Sequence, residues 1–245
     1  MPTRLVHMVI DAAEPARLAR FWAAALGWEM TAEQPEVANV LPPGYGYPDP
    51  LAQPLVLLSV PEPKSAKNRV HLNLAAESPA HQAAEVGRLL SLGAVLADVG
   101  QGDVPWKVLA DPEGNEFCVL DPRPVYRGTG PVAAIVADCV DLDAMADFWE
   151  LAAGWTRRGS SDGRVMLRSP SDTGPFLELQ RVPDAKTVKN RLHLDVAPEK
   201  GEDLAEAVRL LSAAGAVPAD VGQRDVSWEV LADPEGHEFC VLAPL

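Results

Sequence analysis

LADPEGNEFCVL, residues 109–120, returns 122 positions later as LADPEGHEFCVL, residues 231–242. The match extends upstream: DVGQGDVPWKVLADPEGNEFCVL (98–120) and DVGQRDVSWEVLADPEGHEFCVL (220–242) agree at 19 of 23 positions, which identifies an internal duplication. The same offset superimposes VPEPKSAKNRVHLNL (60–74) on VPDAKTVKNRLHLDV (182–196). Nearer the start the offset becomes 127, with Phe21-Trp22 over Phe148-Trp149 and Gly27-Trp28 over Gly154-Trp155. The shift of five places an insertion between Trp28 and Leu55, in NVLPPGYGYPDPLAQP (39–54), whose Pro, Gly and Tyr content reads as an irregular loop.

Each half reads as two similar units. LVHMVID is a strand. PARLARFWAAAL carries Leu18, Phe21, Trp22, Ala25 and Leu26 at helical spacing and is ended by Gly27; WEMT, EVANVL and PLVLLSV follow as strands. In the second unit NRVHLNLA is a strand, and Ser78-Pro79 caps a helix AHQAAEVGRLLSL stopped by Gly93. ADVGQ, WKVLA and EFCVL read as strands, the last two joined by Asp111-Pro112-Glu113-Gly114, whose residue types suit a type I turn. Residues 132–245 repeat both units, with helices near 142–153 and 202–214. The expected class is α+β, with four βαβββ modules in two domains, 1–124 and 130–245.

Bulk properties narrow the partners. A formal net charge of -14 repels phosphate backbones and anionic membrane surfaces, so a small-molecule ligand is expected, with no nucleic acid and no membrane. Three cysteines, Cys118, Cys139 and Cys240, do not make a disulfide framework and point to a reducing cytoplasm. The N-terminus lacks the apolar run of a signal peptide, and no stretch is apolar enough to span a bilayer.

FWAAALGW, FWELAAGW, the paired NRVHL and NRLHL, and above all the two DPEG hairpins resemble the vicinal oxygen chelate superfamily, which holds glyoxalase I, extradiol dioxygenases and bleomycin resistance proteins. The resemblance covers essentially the whole chain. It implies that modules pair into two cupped, incomplete barrels whose concave faces hold ligand. It also implies metal-ligand positions on the first and last strand of each module. Those positions fall on His7 and Val56, His71 and Cys118, Ala134 and Glu178, and His193 and Cys240. Glu116 and Glu238 stand two residues before the last-strand position. Pairing within halves gathers His7, His71 and Cys118 (or, through a bulge, Glu116) in one site and Glu178, His193 and Cys240 in a second. Pairing across halves gathers His7, His193 and Cys240, and Glu178, His71 and Cys118. Both pairings remain open, as does whether the chain is a monomer or a homodimer.

His71 and Asn73 share a strand face, as do His193 and Asp195, so a polar strip is expected beside each histidine. The arginines of Asn68-Arg69 and Asn190-Arg191 are expected to pair with hairpin acids such as Asp111 and Asp233, and His237, in a turn, to be exposed. Trp106 is a candidate stacking surface, and Tyr45 and Tyr47 a candidate lid. The leading functional reading is an enzyme acting on a small organic molecule by acid–base or metal-assisted lyase or isomerase chemistry. It casts His7, His71 and Glu116 as catalytic groups and Tyr45, Tyr47, Trp106 and Asn73 as substrate contacts. A divalent metal (iron, manganese, nickel or zinc) is optional in it, absence being favoured. The alternatives are a non-catalytic, antibiotic-type binder and an extradiol-type dioxygenase.

Overall fold

A computed structural model describes residues 1–245 except Pro48, Pro50, Leu51, Asp162, Arg224 and Asp225; the first three belong to the inserted loop. Module one comprises β1 (Arg4–Ala12), α1 (Pro15–Leu26), β2 (Glu29–Glu33), β3 (Val37–Leu41) and β4 (Leu55–Ser59). Module two comprises β5 (Val70–Leu74), α2 (Pro79–Ser91), β6 (Val95–Leu96), β7 (Lys107–Ala110) and β8 (Glu116–Val119). A short 3-10 turn, Pro124–Tyr126, leads into module three: β9 (Val132–Cys139), α3 (Leu142–Ala153), β10 (Thr156–Ser161), β11 (Arg164–Arg168) and β12 (Phe176–Arg181). Module four is β13 (Leu192–Ala197), α4 (Leu204–Ala213), β14 (Val217–Pro218), β15 (Glu229–Ala232) and β16 (Glu238–Val241). The α+β architecture of four βαβββ modules is therefore present. One expected strand moves: ADVGQ (97–101) is a turn, with Asp98 accepting the Gly100 N–H and Gly100 at φ 80°, and the strand is Val95–Leu96.

The sheets settle how the modules pair. One eight-stranded open sheet runs β14-β15-β16-β13-β1-β4-β3-β2, and the other runs β10-β11-β12-β9-β5-β8-β7-β6. Module one thus joins module four, and module two joins module three. β1 and β13 pair antiparallel with His7 opposite Asp195 and Val9 opposite His193. β5 and β9 pair the same way, with His71 opposite Val136 and Asn73 opposite Ala134. Each sheet therefore draws on both halves of the sequence. Lys189 reaches Asp11 (2.5 Å) and Lys67 reaches Asp138 (2.8 Å) across these central pairs.

The hairpins bind each half together in the other direction. Phe117 packs edge-on against Trp22 (5.1 Å between centroids), and Phe239 against Phe148 and Trp149 (both 5.6 Å). Trp22 Nε1 donates to Asp111 Oδ2 (3.2 Å) and Trp149 Nε1 to Asp233 Oδ2 (3.1 Å). The β1–α1 junction has no side-chain cap of its own at Glu14; instead Glu113 accepts the N–H groups of Ala13 (2.7 Å) and Glu14 (2.8 Å). Glu235 does the same for Val140 and Asp141. Helix starts need acceptors for their free N–H groups; the duplicated turn supplies one to the residue that begins each helix, and at α3 Asp141 adds its own carboxylate, accepting from Asp143 and Ala144.

Candidate functional site: two unequal cups

Most letters of the repeated hairpin serve this docking. Asp111 Oδ1 accepts the N–H of Glu113 and of Asn115 (2.9 Å each), and Gly114 takes φ 85°, where a side chain is strained. Glu116 accepts hydrogen bonds from Lys64 Nζ (2.8 Å) and the Asn68 N–H (3.1 Å). Glu238 repeats this with Lys186 (2.6 Å) and the Asn190 N–H (3.1 Å). One expectation is met in part here and one is corrected. Arg191 pairs with a hairpin acid, Glu113 rather than Asp233, and also donates to the carbonyls of Glu62 and Asp11, whereas Arg69 donates to the Asp184 carbonyl. His237 is not exposed but 2 % accessible, its Nδ1 2.9 Å from Asn190 Nδ2.

The sheet pairing separates His7 from His71, placing them in different cups. In the first cup His7, Asp195 and Cys240 lie on one rung across β1, β13 and β16, with His193 two residues from Asp195. His7 Nε2 is 2.8 Å from Asp195 Oδ2; His193 Nε2 is 3.4 Å from Asp195 Oδ1 and 3.7 Å from Cys240 Sγ. Burial and the Asp195 carboxylate push the Cys240 thiol upward, so without a cation it stays protonated.

The second cup encloses a cavity of about 450 Å³, within the size range typical of small-molecule sites. Its lining includes His71, Asn73, Trp106, Cys118, Arg164 and Glu178. Val108, Ala134, Val136, Met166 and Phe176 form a buried apolar cluster of their own beneath these groups. His71 and Glu178 both pair with Val136, from either side, so they share a face two strand spacings apart. Glu178 is 1 % exposed, accepts a hydrogen bond from Tyr126 Oη (2.6 Å), and lies 3.5 Å from Arg164 Nη1. Burial raises its carboxyl pKa against the pull of Tyr126 and Arg164. Burial also lowers His71 to about 4, so the imidazole is neutral at physiological pH, and pushes Cys118 up to about 12. Arg123 sits 5.5 Å over the Trp106 ring.

Of the expected contacts, Trp106, Asn73, His71 and Glu116 all line this cavity. Tyr45 and Tyr47 line another, of about 430 Å³, beside Met1, Trp155 and Ser169; it shares no lining residue with the first. Tyr126, Arg123 and Arg164 were not expected. Tyr126 and Arg123 lie in the link between halves, which has no second copy, and that asymmetry was the available signal.

Whether a metal fits differs between the cups. One ligand atom each from His193, Asp195 and Cys240 lies within 4.8 Å of the others, the single such grouping among the described residues. Asp195 Oδ1, buried and without a hydrogen-bond partner, faces that gap. A nitrogen, an oxygen and a sulfur at this range suit zinc-class ions. His71, Cys118 and Glu178 do not converge in this way.

The model of the glyoxalase-like domain matches residues 7–120 and again 134–242, so the chain belongs to the glyoxalase-like domain family within the vicinal oxygen chelate superfamily. Among solved structures it is similar to glyoxalase I from Zea mays, at 16% identity over 98% of this chain and 92% of that one, with a TM-score of 0.65. A point mutant of that enzyme superimposes at 18% identity over the same shares, TM-score 0.66. A Bacillus subtilis protein described as a dioxygenase candidate matches at 14% identity over 98% and 84%, TM-score 0.61. These likenesses establish the fold. A comparison with curated protein sequences gave no match. No helix among the described residues is long and apolar enough to cross a membrane.

Proposed function

We propose that the protein is an enzyme acting on a small organic anion that carries a carbonyl group, bound in the second cup, with Glu178 moving a proton. The observation that carries this reading is the setting of Glu178: a carboxyl buried in an apolar floor at the wall of a ligand-sized cavity, held by Tyr126 and flanked by Arg164. Raised affinity for a proton makes a carboxylate a stronger base near neutral pH. Glu178 takes a proton from carbon beside the substrate carbonyl and returns it to a neighbouring position, so no net proton is consumed. Arg164 stabilises the negative charge that develops on the carbonyl oxygen, and neutral His71 hydrogen-bonds the substrate without adding charge. Trp106 and Arg123 offer a flat, cationic wall for the ligand's unsaturated part. A cation in the first cup, when bound, supplies Lewis acidity there; the second cup works with its own residues.

Non-catalytic binding is the second reading, and the Trp106–Arg123 wall favours it. An oxygenase using Glu116 is disfavoured, because Lys64 and the Asn68 N–H hold that carboxylate. The three cysteines are free and buried, which suits a reducing cytoplasm.

Incubation with a panel of 2-oxo and 3-oxo acids in deuterium oxide, followed by proton NMR, tests the assignment. The wild-type chain is expected to exchange the acidic carbon-bound proton of at least one compound, and Glu178→Gln to lose 100-fold or more of that rate. Binding without exchange would leave the binder reading; exchange untouched by Glu178→Gln would remove Glu178 from the chemistry.

A further inference from the structure

The cavity under the inserted loop carries an assignment of its own, independent of the second cup, with which it shares no lining residue. We infer that it is a second binding site, for a neutral aromatic molecule bearing a carbonyl-type acceptor, with Trp155 as its aromatic wall and the Tyr47 hydroxyl as its hydrogen-bond donor. At about 430 Å³ it has the size of a small-molecule site. One side comes from the start of β1, at Leu5 and Val6, and the other from the C-terminal end of α3, at Ala153, with Trp155 just beyond. Thr3 Oγ1 ties the two sides together by donating to the Ala152 carbonyl (2.6 Å). Modules one and three belong to different sheets, so the cavity is a seam between sheets and not part of either cup.

Rings, a bare donor and the local charge set the class of ligand. Tyr45, Tyr47 and Trp155 bring three rings to one cavity, and among the described residues none of the three stacks on another ring or carries a cation over its face. Their faces are left for a ligand. Tyr47 Oη is buried and has no hydrogen-bond partner, and a ligand oxygen supplies the missing acceptor. Burial raises the Tyr47 pKa, and burial with Asp49 alongside takes Tyr45 to about 12, so both hydroxyls keep their protons and remain donors. The cation on the lining, Arg4, is paired with Glu199, and Asp49 adds a negative charge, so an anion finds no attraction here. The site belongs to one half only. The β3–β4 loop (42–54) brings both tyrosines, whereas the counterpart β11–β12 loop (169–175) is shorter and lines the same cavity with Ser169 and Ser171. Loops carried on a rigid scaffold are where binding functions collect.

The full chain is dialysed to equilibrium against 2-acetylnaphthalene, a neutral bicyclic ketone, with 2-naphthoate, which has the same rings and a carboxylate, as competitor. The expected result is saturable binding of one ketone per chain that naphthoate does not displace. Tyr47→Phe, which removes the hydroxyl and keeps the ring, weakens ketone binding about 5–10-fold, the worth of one hydrogen bond. Ser171→Trp, at the exposed rim, fills the cavity and abolishes binding, whereas Trp106→Ala, in the second cup, leaves it unchanged. If circular dichroism shows that Ser171→Trp does not fold, Pro170→Trp, also exposed on the rim, replaces it. No saturable ketone binding, displacement by naphthoate, or binding untouched by both Tyr47→Phe and the rim tryptophan would each overturn the assignment. Loss of binding in Trp106→Ala alone would overturn it too, by placing the ketone in the second cup.

Discussion

The two cups descend from one duplicated design and now hold different chemistry. At matching places along their strands the first has His7, Asp195, His193 and Cys240, and the second has Ala134, Asn73, His71 and Cys118. Removing His7 and the Asp195 charge breaks the polar chain in the second cup and opens an apolar floor. Glu178 then enters from β12, where the first cup has Val56, and the inter-half link adds Tyr126 to hold it. The scaffold beneath stayed alike. Both hairpins dock the same way, with matching Trp–Asp bonds of 3.2 and 3.1 Å. Duplication here preserved the parts that hold modules together and released the concave faces to diverge.

The strongest way to break that comparison is to strike the shared scaffold in each copy. Phe117→Ala and Phe239→Ala each remove a ring buried to 1 % and 0 % exposure from equivalent aromatic clusters. Each is expected to cost about 3–5 kcal/mol in urea unfolding, by lost contact and the cavity left behind. Near-equal losses support a symmetric scaffold. A difference of several kcal/mol between the two would show that one hairpin carries the fold.

A somewhat smaller effect tests the apolar character of the second cup. His71 is depressed to about 4 by burial, below the ordinary value of 6.5. Between those values the unfolded chain takes up a proton that the folded chain refuses. Stability is therefore unaffected above about pH 6.5 and falls as pH drops toward 4, by roughly 3 kcal/mol in all. Unfolding of wild type and His71→Gln at a series of pH values is expected to show a shallower acid decline in the variant. Parallel curves would mean that the floor around His71 is not apolar enough to exclude its charge.

Local signals made much of this legible. The helix α1 came out residue for residue because its apolar spacing and Gly27 are local, and Ser78 caps α2 through the His81 N–H at 3.1 Å as its position suggests. Module pairing was not legible, since NRVHLNL and NRLHLDV offer β1 nearly identical edges and nothing nearby in sequence distinguishes β5 from β13 as its neighbour. The site split followed from that pairing, which placed His7 and His71 in different sheets. His237 looked exposed because turns usually are; its burial depends on Asn190, 47 residues away. Tyr126 escaped notice because a linker tyrosine acquires a role only when the fold brings β12 beneath it.

The smallest effect bears on the hairpin glutamates, the letters most suggestive of metal. Glu116 and Glu238 sit two residues before the cysteines and resemble displaced ligands, yet each holds a lysine and a backbone N–H in a partly buried pocket. Replacing either by glutamine keeps the shape and one acceptor but removes the charge. The expected cost is about 1 kcal/mol per site, near equal in the two copies, because each pair is only 10–16% exposed yet keeps some access to water. Equal, small stability losses would place these residues with the scaffold that the duplication conserved; a loss several times larger in one copy would show that the two hairpins no longer carry equal loads.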